Sequence, residues 1–529
     1  MTIQPVLIGQ GWRPSAASGT FRAENPATRE PLEEIFPVSS WADVDAALGA
    51  ASGAAAALRK APGELVARFL ETYADKIETE RDALVAMAHA ETALPVKPRL
   101  ADVELPRTTG QLREAARAAR DGSWMQPTID SKLNIRSCHA PLGPVFVFGP
   151  NNFPFAFNSI AGGDFAAAIA TGCPVIAKAN TSHPATTRLF ATAAHDAARE
   201  TGLPAGSVQL LYRTSHPDGR RAVADPRTGA TGYTGSRACG LALKAAADAA
   251  GKPIYLELSS INPVLILPGA IATRADEIAG EFTTSCLLGM GQFCTNPGLV
   301  ILLAGVETDR FVAAIVEQFR AAPVGTLLSA GVAHALETNV KTLAAAGARL
   351  LAGGTTGGGT GYSFANTLLT ISGTRFLASP AQFQIEAFGN ASLMVIAEDA
   401  AQAVGIVEAL EGNLTGCIYS DSGGSDDSLY AELAPQLRRK VGRLLGDKMP
   451  TGVAVTAAMN HGGPYPATGH PGFTSVGIPA SLARFTALEC YDNVRPERLP
   501  QALGDKNPGQ MRRLVDGIWT QGDVAGPTA

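Results

Sequence analysis

The chain has 529 residues, 46% of them hydrophobic and 17% charged, with 56 glycines, 35 prolines and a net charge of −5. That length exceeds what one hydrophobic core serves, so two large domains with a cleft between them are expected, and the composition excludes fibrous and largely disordered classes. The small net charge and the lack of any Lys/Arg run exclude a nucleic-acid partner, and no apolar stretch approaches the ~20 residues that a membrane span needs.

At the start, MTIQPVLIGQGW lacks a basic region followed by an apolar core and a cleavage site, so no secretory signal is expected. Cysteines 138, 173, 239, 286, 294, 417 and 490 are scattered, odd in number and without a CxxC pair. This argues against a disulfide framework and a structural zinc site; no metal is expected, and a reducing, cytoplasmic setting fits best. From Trp41 to Arg120 Ala and Leu recur at helical spacing, with breaks at Pro62 and around Pro95 to Pro98.

From Pro144 the period changes. PVFVFGP, PVIAK, VQLLY and PIYLEL are short apolar runs separated by Ala-rich helical segments, the signature of parallel βαβ units. A second series, NPVLILP, LVILLAG, ARLLAGG, SLMVIAE and TGCIYS, begins near Pro263, so two α/β domains in tandem are expected, joined near Leu258 to Asn262. GGTTGGGTG at 353 to 361 lacks the Lys-Ser/Thr ending of a phosphate loop and is read as a flexible surface loop. The tail beyond Pro500 reads as a loosely packed extension.

Three segments carry chemistry. Gly149-Pro150-Asn151-Asn152-Phe153-Pro154 follows a strand and precedes a helical stretch; an Asn amide there can donate to an oxyanion, a contact worth ~3 kcal/mol of barrier. Glu257, ending the strand of YLELSS, stands where ligands of open α/β sheets gather; half-buried, with a raised pKa, it would serve as general base for a water. Cys294, in GQFCTNP, is a candidate nucleophile, a role that needs partial exposure and a positive or hydrogen-bonding environment. Taken singly, a buried structural Cys, a solvated strand-end acid and an Asn-Pro turn are the ordinary alternatives.

Together the segments resemble the aldehyde dehydrogenase family, PNNFP matching its P-W-N-F-P, ELSS its E-L-G-G and GQFCTNP its G-Q-x-C-T-x-P, over about Asn25 to Asn493. The resemblance implies Cys294 as nucleophile, Glu257 as the base for deacylation, and Asn152 with the Cys294 backbone N–H as oxyanion hole. It implies Glu386 and Phe388, of the family's E-x-F-G, as contacts of the nicotinamide ribose, although Asn390 follows where the family usually has Pro. Lys178 matches the lysine at the adenosine ribose, and Gly235 and Ser236, in Tyr233-Thr234-Gly235-Ser236, open the helix that meets the phosphates. Thr181 stands where NAD-specific members often place Glu, and Arg213 where the family commonly has Gly; both changes point to NADP, with NAD possible.

The implied α/β architecture is the aldehyde dehydrogenase fold, a Rossmann-like cofactor domain plus an α/β catalytic domain and a small oligomerisation arm. The boundaries are 1–125 and 142–260 for the cofactor domain, 126–141 and 480–500 for the arm, 261–479 for the catalytic domain and 501–529 for a C-terminal extension. A homodimer or homotetramer is implied. ETALP, RTTGQLR and HGGPYPATG resemble the bacterial 2-oxoglutarate semialdehyde dehydrogenases within the family. In RTTGQLR, Arg107 is expected either at the distal carboxylate of the substrate or in a surface salt bridge, and Phe153 and Phe157, one helical turn apart, are expected in the tunnel wall. His461 is either a proton relay to Glu257 or the thiol, or a loop hydrogen-bonder. A fatty-aldehyde dehydrogenase is the rival reading; a cofactor-free cysteine hydrolase and a catalytically silent binding protein of the same fold are the readings from other classes. The presence of Glu257 favours hydrolysis of the thioester over acyl transfer to coenzyme A.

Overall fold

The computed structural model describes residues 2–524; Met1 and the last five residues of the expected extension, 525–529, lie outside the described residues. Four helices, α1 (Trp41–Leu58), α2 (Gly63–Thr79), α3 (Arg81–Thr92) and α4 (Leu105–Asp121), form the expected N-terminal layer. Pro62 caps α2, as its fixed φ and missing N–H allow. The prolines near 95 break the next helix, and Val96–Glu104 is wound more loosely before α4 begins. On α2, Val66, Phe69, Leu70, Tyr73 and Ile77 fall on one helical face and are buried, each side chain contributing about 1.5–3 kcal/mol.

The first large sheet has the strand order Ile254–Glu257, Ala230–Thr234, Val145–Phe148, Val175–Lys178, Val208–Leu211, Val6–Ile8, Gly11–Arg13. Five strands are parallel, and the two N-terminal ones close the edge antiparallel. The crossovers carry helices α5 (Gly163–Ala170), α6 (Pro184–Thr201), α7 (His216–Ala224) and α8 (Arg237–Ala249). From Val145–Phe148 the chain runs outward on one side to Val208–Leu211, then returns to lay Ala230–Thr234 on the other. This reversal leaves a crevice at the carboxyl end of Val145–Phe148, the place where such sheets bind ligands.

The second sheet orders Arg349–Ala352, Thr367–Ser372, Ala391–Ala397, Leu299–Leu303, Val264–Ile266, Asn413–Tyr419 and Val441–Gly446, parallel except at the first edge. Each sheet packs its own apolar core. Residues 353–361 form a loop, pinned by a bridge between Thr356 and Phe364.

A third, five-stranded sheet is made from Thr486–Asp492, Ile135–Pro141, Thr128–Asp130, Arg513–Val515 and Ile518–Thr520. It corrects the expectation of a loosely packed tail. Asp516 and Gly517 both take positive φ, 50° and 82°, and turn the chain into a hairpin whose first strand pairs with Thr128–Asp130. The buried Arg513 guanidinium donates to the carbonyls of Gly504, Asp505 and Gly522, and Arg136 reaches the Leu503 carbonyl at 2.6 Å and Asp505 at 2.8 Å. Among the described residues no helix is long and apolar enough to cross a membrane.

Candidate active site

The strand Ile254–Glu257 ends where the two large sheets meet, and the link is built from backbone: Leu258 N–H donates to Ala467 and Gly469 N–H to Leu256. Beyond it Asn262, at φ 47°, donates from its amide to the carbonyls of Cys294 and Asn296, both at 2.9 Å. The acid-bearing strand and the thiol-bearing loop are thereby tied together. That loop needs glycine at 291, where φ is +66° and an added Cβ would lie 2.1 Å from the Gly389 carbonyl oxygen.

Glu257, Cys294 and His461 converge. His461 Nε2 is 3.0 Å from a Glu257 carboxylate oxygen and 3.4 Å from Cys294 Sγ. Ser475 Oγ donates to the other Glu257 oxygen at 3.2 Å, and Thr474 Oγ1 accepts from the His461 backbone N–H at 2.9 Å. Glu257 is 2% exposed and His461 1%. Burial alone would push the Glu257 carboxyl up, but His461, Ser475 and Cys294 together bring it below the usual carboxylate range. This corrects the half-buried base of raised pKa: the acid is fully buried, and its hydrogen-bond donors hold it anionic. Burial and the adjoining carboxylate push the Cys294 thiol well up, with Arg107 acting in the opposite sense. The resting pair is therefore a neutral thiol beside a carboxylate, on a loop in which no helix begins at Cys294.

Asn152 Nδ2 donates to the Gln292 carbonyl at 2.9 Å, which aims the amide at the loop of Cys294. The Asn152 backbone carbonyl accepts from Arg99 at 2.7 Å, and Arg99 also pairs with the buried Glu104 at 3.2 Å. Glu104 in turn accepts the N–H groups of Phe155 and Ala156 at 2.8 and 3.1 Å. Residues 151–162 are turns rather than helix, α5 starting only at Gly163, so Phe153 and Phe157 are not one helical turn apart. The glutamate-held turn nevertheless packs their rings 5.2 Å apart, with Phe293 5.5 Å from Phe153.

Arg107, in the first turns of α4, lies over Phe157 at 5.0 Å and Phe153 at 5.7 Å, and its Nε and Nη2 are buried without a hydrogen-bond partner. It borders a cavity of about 440 Å³ on the α4 side, shared with Val453 and Val455.

A second cavity, about 450 Å³, holds Asn152, Glu257, Cys294, Glu386 and Phe388. It adjoins a third of about 780 Å³ in the crevice of the first sheet, the two sharing Pro150, Asn151, Thr234, Gly235 and Ser236. Lys178, Thr181 and Arg213 border the far end. Burial, reinforced by the Arg213 charge, pushes the Lys178 ammonium down to about 8, and Arg213 pairs with no carboxylate among the described residues. Ser236 is the N-cap of α8, which opens its free N–H groups onto the same space. Burial pushes the Glu386 carboxyl up to about 7, with Ser259 and the Ser260 N–H as its partners. Two cations, a helix N-terminus and a carboxyl at the inner end suit a dinucleotide: anionic phosphates outside, a sugar hydroxyl within.

The chain belongs to the aldehyde dehydrogenase family, whose model matches residues 12–444, and it is an enzyme of that class. Its most similar relatives include alpha-ketoglutaric semialdehyde dehydrogenase 2 of Azospirillum brasilense, 43% identical over 516 residues and covering 95% of this chain and 97% of the relative. Alpha-ketoglutaric semialdehyde dehydrogenase of Acinetobacter baylyi is 35% identical, with 97% and 98% covered. The fold matches that of lactaldehyde dehydrogenase from Escherichia coli, with a TM-score of 0.78 at 21% identity over 92% of this chain and 98% of that one. An aldehyde dehydrogenase from Pseudomonas syringae, solved with NAD+ and octanal, gives 0.78 at 19% identity over 94% and 98%. His461 and Ser475 lie beyond the span that the family model matches.

Proposed function

We propose that this enzyme oxidises 2-oxoglutarate semialdehyde to 2-oxoglutarate, with NADP preferred over NAD. The unpartnered Arg107 guanidinium carries the substrate assignment: a cation left without hydrogen bonds in an aromatic passage is costly unless a substrate carboxylate completes it, and a fatty aldehyde would not. The two relatives that bear the name of this activity, similar over nearly the whole chain, support the same reading. For the cofactor, Arg213 and Thr181 at the outer end of the crevice suit a 2′-phosphate.

In the proposed cycle Cys294 Sγ attacks the aldehyde carbon as its proton passes to the Glu257–His461 pair, and the oxyanion is held by the Asn152 amide and the Cys294 N–H. When bound, the dinucleotide supplies the hydride acceptor that makes thioester formation an oxidation. His461 hands the thiol proton onward, Glu257 then deprotonates the water that hydrolyses the thioester, and the Cys294 thiolate set free takes that proton up again. Lys178, Gly235 and Ser236 hold the outer half of the cofactor, Glu386 and Phe388 the inner, and Phe153 and Phe157 wall the aldehyde passage.

The domains are proposed at 1–125 with 142–260, 261–479, and an arm of 126–141 with 480–500 to which 501–520 adds strands. We propose that the arm builds a homodimer or homotetramer, because Leu488, Ile518 and Trp519 on this one sheet, and Leu133 in the turn joining two of its strands, are 51–70% exposed. The seven unpaired cysteines accord with a reducing, cytoplasmic setting.

Initial rates for 2-oxoglutarate semialdehyde, succinate semialdehyde and a long-chain aldehyde, each with NADP and NAD, test the reading. The first aldehyde with NADP is expected to give the highest kcat/KM. A preference for the long-chain aldehyde would replace it with the fatty-aldehyde reading.

A further inference from the structure

Cys294, His461 and Glu257 come from three distant parts of the chain, yet a sulfur, an imidazole nitrogen and a carboxylate oxygen all lie within 4.8 Å of one another. No sequence spacing announces such a set. We infer that these three groups form an inhibitory site for a thiophilic divalent cation, Zn2+, which binds in place of the aldehyde.

The geometry fits a tetrahedral ion. Zinc bonds of about 2.3 Å to sulfur and about 2.0–2.2 Å to nitrogen and oxygen set ligand atoms roughly 3.3–3.6 Å apart. Here the sulfur-to-nitrogen edge is 3.4 Å and the nitrogen-to-oxygen edge 3.0 Å, so shifts of a few tenths of an ångström fit these two edges, and the sulfur-to-oxygen edge lies within 4.8 Å, to be drawn in as the side chains close on the ion. The fourth corner opens on the cavity that Cys294 and Glu257 border, which also gives the ion its way in.

The outer contacts hold the ligands in place. Ser475 fixes the second Glu257 oxygen, Thr474 and Ser475 anchor the His461 backbone, and Asn262 anchors the Cys294 carbonyl. Such outer contacts orient metal ligands and commonly change affinity by about 10–100-fold. On binding, a Zn–S bond forms as the S–H bond breaks and its proton leaves to solvent, and a Zn–N bond forms at Nε2 as the proton that Nε2 shares with Glu257 shifts to Nδ1 or, where Nδ1 already carries one, leaves to solvent as well. No electron changes hands. The ion occupies the sulfur lone pair that would attack the aldehyde, so inhibition is competitive with aldehyde and reversed by a chelator.

The inhibition readout rests on Cys294 being the nucleophile, as proposed above; binding itself does not. The metal-stripped, reduced full-length enzyme is titrated with Zn2+ while initial rates are followed, and separately with Co2+ while thiolate-to-metal charge transfer is read by absorbance. One ion per chain, rates restored by EDTA, a charge-transfer band absent in Cys294→Ala, and affinity at least about tenfold weaker in His461→Asn are expected. On the unmodified enzyme, Zn2+ should also protect Cys294 from iodoacetamide, read by mass spectrometry, which needs no variant to fold. A cobalt band that survives in Cys294→Ala, equal affinity in His461→Asn, or unprotected Cys294 overturns the site. Cobalt ligation at Cys294 with an undisturbed rate upholds the metal site and overturns the nucleophile assignment instead.

Discussion

His461 Nε2 sits 3.0 Å from the Glu257 carboxylate, and both side chains are almost wholly removed from solvent. Burial works to protonate the acid, and the imidazole is the first of the groups that prevent it. In His461→Asn that support is lost, burial prevails and the Glu257 pKa rises. Because the base form disappears as pH falls through this pKa, the acidic limb of the kcat profile should move to higher pH, measurable by steady-state rates across pH 5–9. An unmoved limb would remove His461 from the control of Glu257.

Glu257→Gln should let acylation occur once and then stall at the thioester, seen as a pre-steady-state burst of reduced cofactor with little turnover. The same substitution removes the negative charge that raises the Cys294 thiol, so iodoacetamide should alkylate Cys294 faster than in the parent enzyme near pH 8. Equal loss of burst and turnover, or slower alkylation, would count against the arrangement.

Arg213→Ala should raise the KM for NADP by tenfold to over a hundredfold, the worth of a charge-assisted contact of ~1.5–3 kcal/mol, and leave NAD kinetics nearly unchanged. Equal damage with both cofactors would make Arg213 a structural residue.

Arg107→Met should cut kcat/KM for 2-oxoglutarate semialdehyde by an amount equivalent to ~2–3 kcal/mol while sparing uncharged aldehydes. A long-chain aldehyde should gain, because the substitution removes an unpartnered cation from the passage. An unaffected semialdehyde would place its carboxylate elsewhere.

Glu104→Ala leaves the Phe155 and Ala156 N–H groups without their acceptor and the Arg99 guanidinium without its carboxylate. Loss of one member of a buried pair costs ~3–5 kcal/mol, so a clear fall in Tm is expected, and the loosened Asn152 should lower kcat in whatever enzyme remains folded. An unchanged Tm would show that the turn holds itself.

Four strands of the first large sheet and five of the second were legible because each is a short apolar run in a chain otherwise rich in helix formers. Gly11–Arg13 and Ala230–Thr234, with few apolar residues, were not read as strands, nor were Val6–Ile8, Thr367–Ser372 and Val441–Gly446. The reversal of strand order puts 149–151, Lys178 and Gly235 in one crevice. Cys294, Glu257 and Asn152 stood out through local segments. Arg99, Glu104, Asn262 and Ser475 did not, because each works through a partner that only folding brings near, from five residues away for Arg99 and Glu104 to 218 for Ser475 and Glu257. The anionic state of Glu257 was hidden for the same reason: its ordinary environment at a strand end says nothing of His461. The tail hairpin had left a sign, Asp516-Gly517 between two short apolar runs, a pair suited to a turn with positive φ at both positions.

The tail hairpin also fixes when the arm can exist. Thr128–Asp130 and Ile135–Pro141 leave the ribosome early, but their sheet partners Thr486–Asp492 and Arg513–Val515 are made more than 340 residues later. At ~5–20 residues per second this is a wait of roughly 17 to 70 seconds with strand edges open. The arm therefore closes only on a chain synthesised almost to its end, and a product stopped short of Thr486 carries both large sheets' strands but only two of the arm's five.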